Sequence, residues 1–134
     1  MQPLLDFWME ALSLTDWQIT WELVDKIEGN VNGIPPGARV ISTGPYSRAH
    51  IIFQRSQVDE CTLKEELEIT IIHELCHCLI SELRENLMSE IGDSTPIGNE
   101  LMWQVEALCD RLAVCLWRIA HRSPLLPGYS PIIR

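Results

Sequence analysis

The chain has 134 residues, of which 46% are hydrophobic, enough for one folded domain with one core and too apolar for a disordered chain. Nineteen acidic residues against ten basic ones give a formal charge of −9, which disfavours nucleic acid as a partner because phosphate backbones are repelled. No apolar run reaches the roughly 18 residues of a membrane span and residues 1–6 lack signal-peptide features, so we expect a cytoplasmic protein with no membrane partner.

The first half of the chain predicts one helix and a small sheet. Its elements in chain order are a helix over 3–13, a strand over 17–24, a loop over 28–37, and strands over 38–43 and 48–55. The first strand alternates, with Trp17, Ile19, Trp21 and Leu23 on one face. Successive strands with short connections predict a mainly antiparallel sheet of about three strands.

The second half predicts two long helices. One begins at a capping box, Thr62–Glu65, and ends near residue 84; the other covers 99–121, after a loop over 92–96. Residues 123–134 contain prolines and a glycine, which predict an irregular tail. The apolar residues of this tail predict that it docks on the rest of the domain. We therefore expect the α+β class, with a single domain over 1–122.

The sequence His73-Glu74-Leu75-Cys76-His77 carries the clearest chemical signal, the motif HExxH. On a helix, residues i and i+4 share one face, so His73 and His77 can converge on one metal ion. Glu74 would then be placed to take a proton from a water. The motif lies in a run whose apolar residues cover most of the helix circumference, Leu79 and Leu83 among them, which predicts a largely buried helix.

A catalytic zinc site normally has three protein ligands, and the last helix offers the third. Glu106 and Asp110 lie one turn apart beside a predicted core-facing stripe. The members of that stripe are Val105, Leu108, Cys109, Leu112, Leu116 and Ile119. Carboxylates at the edge of a core are costly unless compensated, so we predict that Glu106 is a ligand and that Asp110 holds a ligand histidine. The alternative is a solvated acidic pair on a surface helix.

Other polar residues have weaker claims on a metal. Glu100 and Asp110 are alternative third ligands, whereas His50 and His121 are expected to be ordinary surface or core residues. The five cysteines, Cys61, Cys76, Cys78, Cys109 and Cys115, form no CxxC pair. Their odd number and apolar surroundings predict reduced, mostly buried thiols rather than disulfides.

The order HExxH followed by Glu106-Ala107-Leu108-Cys109-Asp110 resembles the gluzincin family of zinc metallopeptidases, whose pattern is HExxH…ExxxD. The chain is similar to the minimal members and to small metallopeptidase-like proteins of bacteriophages, in which an opening helix and an LxDW segment, here residues 14–17, precede the sheet. The resemblance implies His73, His77 and Glu106 as zinc ligands, Glu74 as general base and Asp110 as the partner of a ligand. The 28 residues between His77 and Glu106 exceed the spacing in large members.

The expected function is therefore zinc-dependent hydrolysis of peptide bonds, with the peptide bound along a strand edge, for which the strand from Arg48 to Arg55 is the candidate. Tyr46, Tyr129 and His121 are candidates for stabilising the transition state. A second reading is a zinc-stabilised binding or regulatory protein without significant peptidase activity. A third hypothesis is based on a resemblance to the SprT-like proteases, which act on DNA-associated proteins. The acidic net charge of the chain disfavours this hypothesis.

Overall fold

The computed structural model describes residues 1–29, 37–43, 46–60, 64–92 and 94–122. The elements in chain order are α1 (Gln2–Ala11), β1 (Gln18–Val24), β2 (Ala38–Thr43), β3 (Arg48–Gln54), α2 (Arg55–Glu60), α3 (Lys64–Ile91) and α4 (Pro96–Arg122). The predicted α+β class is confirmed. Most of the loop over 28–37, the start of the capping box and the whole tail lie outside the described residues, so the docking of the tail stays a prediction.

The three strands form one mixed sheet in the order β1-β3-β2. β2 and β3 are antiparallel, with Ile41 opposite His50, whereas β1 runs parallel to β3, with Trp21 opposite Ile51. The sheet is therefore half parallel, where the sequence predicted it to be mainly antiparallel. β2 and β3 are joined by a tight connection that only an antiparallel pair allows, while the longer segment after β1 lets the chain return on the other side of β3.

The prediction that the strand from Arg48 to Arg55 is an edge is wrong. β3 is the central strand, and its inward side chains Ala49, Ile51 and Phe53 are buried. A central strand has its backbone groups paired on both sides, so it cannot accept a further strand. Within the described residues the edges are β1 and β2. The strand also ends at Gln54, because Arg55 begins the short helix α2.

One cluster of buried side chains joins the sheet to the helices. α1 contributes Leu5 and Trp8, β3 contributes its inward row, and the first half of α3 contributes Ile71, Ile72 and Leu75. The predicted alternation of β1 is confirmed, since Trp17, Ile19, Trp21 and Leu23 all pack against this cluster. No helix within the described ranges is both long and apolar enough to cross a membrane.

α3 is covered all round only over residues 67–78, where no side chain is exposed. Leu79 and Leu83, which the sequence predicted to be covered, are exposed by 47% and 62%. The helix runs about two turns beyond residue 84 and ends at Ile91. Gly92 follows with a φ of +88°, the left-handed conformation that glycine adopts without strain.

The turn between α3 and α4 brings the two helices back along each other. Thr95 caps α4, since its Oγ1 accepts a hydrogen bond from the Gly98 amide at 3.0 Å. A Cβ at Gly98 would collide with the Gly92 carbonyl oxygen, so only glycine fits there. The capping places the start of α4 three residues before the predicted position.

The fully buried positions of α4 hold small residues, namely Gly98, Cys109, Ala113 and Ala120. Four members of the predicted apolar stripe face the core as predicted, namely Val105, Cys109, Leu112 and Leu116, whereas Leu108 and Ile119 are exposed. The inward face is therefore turned away from Leu108 and Ile119 and towards the row of Glu106, which faces α3. Small side chains allow close approach of two helices, and this approach carries Glu106 towards α3.

We expect Phe53→Ala to lower the free energy of unfolding by about 3–5 kcal/mol, because it leaves a cavity between the sheet and α3. Phe53 is 1% exposed, whereas Ile41, on the open face of β2, is 58% exposed. The matched substitution Ile41→Ala should cost less than about 1 kcal/mol. Urea unfolding followed by circular dichroism measures both, and equal losses would contradict the position of the core.

Candidate metal site

The two histidines of the HExxH motif meet as the helix predicts. His73 and His77 lie on one face of α3, and their Nε2 atoms are 3.1 Å apart. Both side chains are mostly buried. Glu106, from the inward face of α4, reaches the same point: its Oε2 is 3.4 Å from His73 Nε2 and its Oε1 is 3.2 Å from His77 Nε2.

These three side chains form a group that could hold a metal ion. The donor atoms are separated by 3.1, 3.2 and 3.4 Å. Ligands placed tetrahedrally at about 2.0–2.1 Å from zinc are about 3.3 Å apart, so the triangle already has the size that such an ion requires. Two imidazole nitrogens and a carboxylate oxygen suit several divalent transition metals, and the geometry alone does not choose among them.

The second nitrogen of each histidine is also held. His73 Nδ1 lies 2.8 Å from Asp110 Oδ1, as predicted for a group that orients a ligand. His77 Nδ1 lies 3.6 Å from the sulfur of Cys109, which is buried. Since a carboxylate accepts, Nδ1 of His73 donates to Asp110, and the unprotonated Nε2 of this histidine faces the common point. The contact with Asp110 thus favours the tautomer of His73 that binds a cation.

The carboxylates around the histidines favour a cation at this point. Hydrogen bonds from His73 and His77 hold the pKa of Glu106 far below its usual range. Burial lowers the pKa of His73, but the hydrogen bond to Glu106 and the nearby carboxylates outweigh it and raise the pKa overall. Burial raises the pKa of Glu74, and the two histidines partly oppose this. The three carboxylates Glu74, Glu106 and Asp110 thus favour positive charge at the histidines.

The cysteines near the site are neutral thiols. None of the four described cysteines forms a disulfide, as predicted, and Cys115 alone among them is exposed. Burial raises the pKa of Cys76 to about 11 and that of Cys109 to about 12. A thiol binds a metal as the thiolate, so these residues act here as small packing groups and, for Cys109, as a neighbour of a histidine.

Other candidates from the sequence lie elsewhere. Glu100 is exposed and accepts a hydrogen bond from Gln104. His50 lies on the open face of the sheet between Thr20 and Glu22, and Tyr46 is exposed in the turn before β3. His121 contacts Glu68, three turns of α4 beyond Asp110. Tyr129 is outside the described residues, so its role in stabilising the transition state stays a prediction.

Two residues with clear structural roles were missed from the sequence. Cys109 was taken only as a member of an apolar stripe, although it lies three residues after Glu106 and therefore on a neighbouring face. Glu68 is 2% exposed and contacts three donors, yet it received no role. Its signal was a carboxylate between Leu67 and Ile69, on the same helix face as the buried Ile72.

Comparison with known proteins returned no match, since no family model fits the chain and no curated protein or solved structure shows significant similarity. The resemblance to gluzincins therefore rests on the short motifs and on the geometry of the residues themselves.

The pKa shifts predict how the metal-free cluster affects stability. His73, raised above 6.5, contributes fully below pH 6.5 and loses its contribution as the pH rises through the raised value. Glu106, lowered from 4.5, contributes above pH 4.5 and loses its contribution as the pH falls through the lowered value. Both stabilising contributions are therefore fully present between pH 4.5 and pH 6.5. With a chelator present, the difference in unfolding free energy between wild type and Glu106→Gln should be largest in this window and smaller near pH 9; a difference that grows with pH would contradict the pairing.

Proposed function

We propose that the protein is a zinc-dependent peptidase in which His73, His77 and Glu106 bind the metal and Glu74 is the general base. The observation that carries the proposal is the convergence of two imidazole nitrogens and one carboxylate from separate helices on one point, 3.1–3.4 Å apart. A glutamate follows the first histidine directly. Three protein ligands leave a tetrahedral ion one position for water or substrate, the arrangement of catalytic rather than structural zinc.

Glu74 has the properties that the base requires. It is 5% exposed on α3 and does not belong to the ligand group. Burial raises its pKa, which strengthens it as a proton acceptor near neutral pH. When bound, the metal supplies Lewis acidity, which lowers the pKa of water and polarises the carbonyl oxygen of a peptide. Glu74 accepts the proton of the attacking water and then delivers it to the leaving amine.

The other residues of the site keep the ligands in place. Asp110 holds His73 through Nδ1, and Cys109 lies against Nδ1 of His77. Such contacts fix the ring orientation and the tautomer, and a carboxylate partner also increases the basicity of the ligand. The pair is uneven, since Asp110 is charged and largely exposed whereas Cys109 is neutral and buried.

For the substrate we propose a peptide in extended conformation beside β2. This strand is an edge of the sheet and contacts α3, the helix that carries the two histidines and Glu74. An extended peptide can add to such an edge through backbone hydrogen bonds, which bind any sequence and leave specificity to side-chain contacts. β3, the strand suggested by the sequence, is excluded because it is paired on both sides.

The metal assignment predicts that Glu106→Ala loses stoichiometric zinc, because two histidines alone bind the ion weakly. Elemental analysis after dialysis should find about one zinc per chain in wild type and a small fraction of that in the variant. Glu100→Ala is the matched control, as Glu100 lies on the same helix outside the cluster, and it should keep the metal. Wild-type protein that holds no transition metal would remove the basis of the proposal.

The role of Glu74 is tested with Glu74→Gln, which preserves size and removes the base. Zinc content should stay unchanged while cleavage of a peptide library falls by about 10²- to 10⁴-fold, the usual contribution of a general base. Glu66→Gln, on the exposed side of the same helix, should cleave like wild type. If wild type binds zinc and cleaves nothing, the zinc-stabilised binding protein becomes the better description.

A further inference from the structure

A second polar cluster joins α1, α3 and α4. It lies near the start of α3 and the end of α4, away from the turn that connects these two helices. Glu68 of α3 is 2% exposed, and its two carboxylate oxygens are both engaged. Oε1 accepts a hydrogen bond from Trp8 Nε1 at 2.9 Å. Oε2 accepts one from Trp117 Nε1 at 3.1 Å and lies 3.0 Å from His121 Nε2. The rings of Trp117 and His121 are packed together, with centroids 4.4 Å apart.

This cluster lies on the same two helices as the metal site. Glu68 precedes His73 by five residues on α3, and Trp117 follows Glu106 by eleven residues on α4, about 17 Å along the axis. Eleven residues are close to three helical turns, so Glu106 and Trp117 point in nearly the same direction. A shift of α4 along α3 would therefore move both contacts together.

The packing between the two contacts has few large, fully buried side chains to oppose such a shift. The fully buried side chains of α4 in this stretch are Cys109, Ala113 and Ala120, and the larger Val105, Leu112 and Leu116 pack against the core while only partly buried. Small residues leave shallow ridges and grooves, and a helix face of this kind can pack at more than one axial position. The hydrogen bonds to Oε2 of Glu68 are directional, so an axial shift of α4 would take Trp117 and His121 away from that oxygen in a largely apolar environment.

We propose that Glu68 is a positioning residue for the metal site: by holding Trp117 and His121, it fixes the axial position of α4 on α3 at which Glu106 reaches His73 and His77. This inference rests on the proposed metal site. It assigns a role to a buried carboxylate that lies outside the group that could hold a metal and that a leucine of similar size would replace at lower desolvation cost. Trp8 extends the same anchor to α1.

The test is zinc binding by the metal-free full-length protein, measured by competition with a chromophoric chelator. Glu68→Gln places an amide N–H₂ group against an indole or imidazole donor, so one contact is lost and α4 is no longer held at a single position. Zinc affinity should fall by about 10- to 100-fold, the range found for groups that support metal ligands indirectly. Trp117→Phe keeps the ring but removes its donor, and it should show a smaller loss in the same direction.

Two controls separate positioning from general stability. Glu66→Gln changes an exposed glutamate on the same helix and should keep wild-type affinity. Phe53→Leu weakens the core on β3, remote from α4, and serves as a variant with a similarly lowered unfolding midpoint but intact zinc affinity. A Co²⁺-loaded sample adds a spectroscopic readout, because the visible absorption of Co²⁺ reports the ligand geometry and should change in Glu68→Gln but not in Phe53→Leu.

Each outcome bears on the inference. Wild-type zinc affinity and an unchanged Co²⁺ spectrum in Glu68→Gln would overturn it, as would an equal loss of affinity in Phe53→Leu. If Glu68→Gln does not fold, Trp117→Phe decides by the same measurements. If wild type itself binds no zinc, the proposed metal site fails and this inference fails with it, which is a result distinct from normal binding in wild type and Glu68→Gln alike.

Discussion

The candidate site depends on the close antiparallel packing of α3 and α4. A single helix can place two imidazoles side by side, but the third donor must come from outside it. Glu106 reaches the histidines because the fully buried positions of α4 hold glycine, cysteine and alanine, which let the helices approach. Large side chains at Cys109 or Ala113 would separate the helices, and a glutamate side chain is too short to span the added distance.

The carboxylates and imidazoles between α3 and α4 interact electrostatically. Glu74, Glu106 and Asp110 surround two imidazoles, and the carboxylates raise the pKa of His73 although burial alone would lower it. The two Nε2 atoms are 3.1 Å apart, within the distance at which a protonated nitrogen donates to an unprotonated one. A divalent cation satisfies the same carboxylates with more charge and relieves the contact between the imidazoles. Proton and metal are therefore competitors for one position.

The hydrophobic pattern of the sequence predicted most ends of the helices and strands to within a few residues, because its period depends only on neighbouring residues. The pattern did not predict the order of the strands, because that order depends on pairing between distant segments. Nothing in β1 itself shows that it lies beside β3 rather than β2. The HExxH spacing placed His73 and His77 correctly for the same local reason. Glu106 was predicted from its place beside the core-facing stripe of the last helix and from the resemblance to the gluzincin pattern, whereas Glu68 was missed because its three partners come from helices 49 to 60 residues away.

The position of Glu74 bears on the choice between an enzyme and a metal-stabilised binding protein. His73, His77 and Glu106 would serve either function, since a bound ion links α3 to α4 and stabilises the fold in both cases. Glu74 adds nothing to that link, because it is not among the group that could hold the ion. It is nevertheless buried, and its raised pKa records the energetic cost of that burial. A purely structural site would be more stable with an apolar residue at this position. The retention of an ionisable group beside the first histidine, at a cost to stability, therefore favours proton transfer as its role.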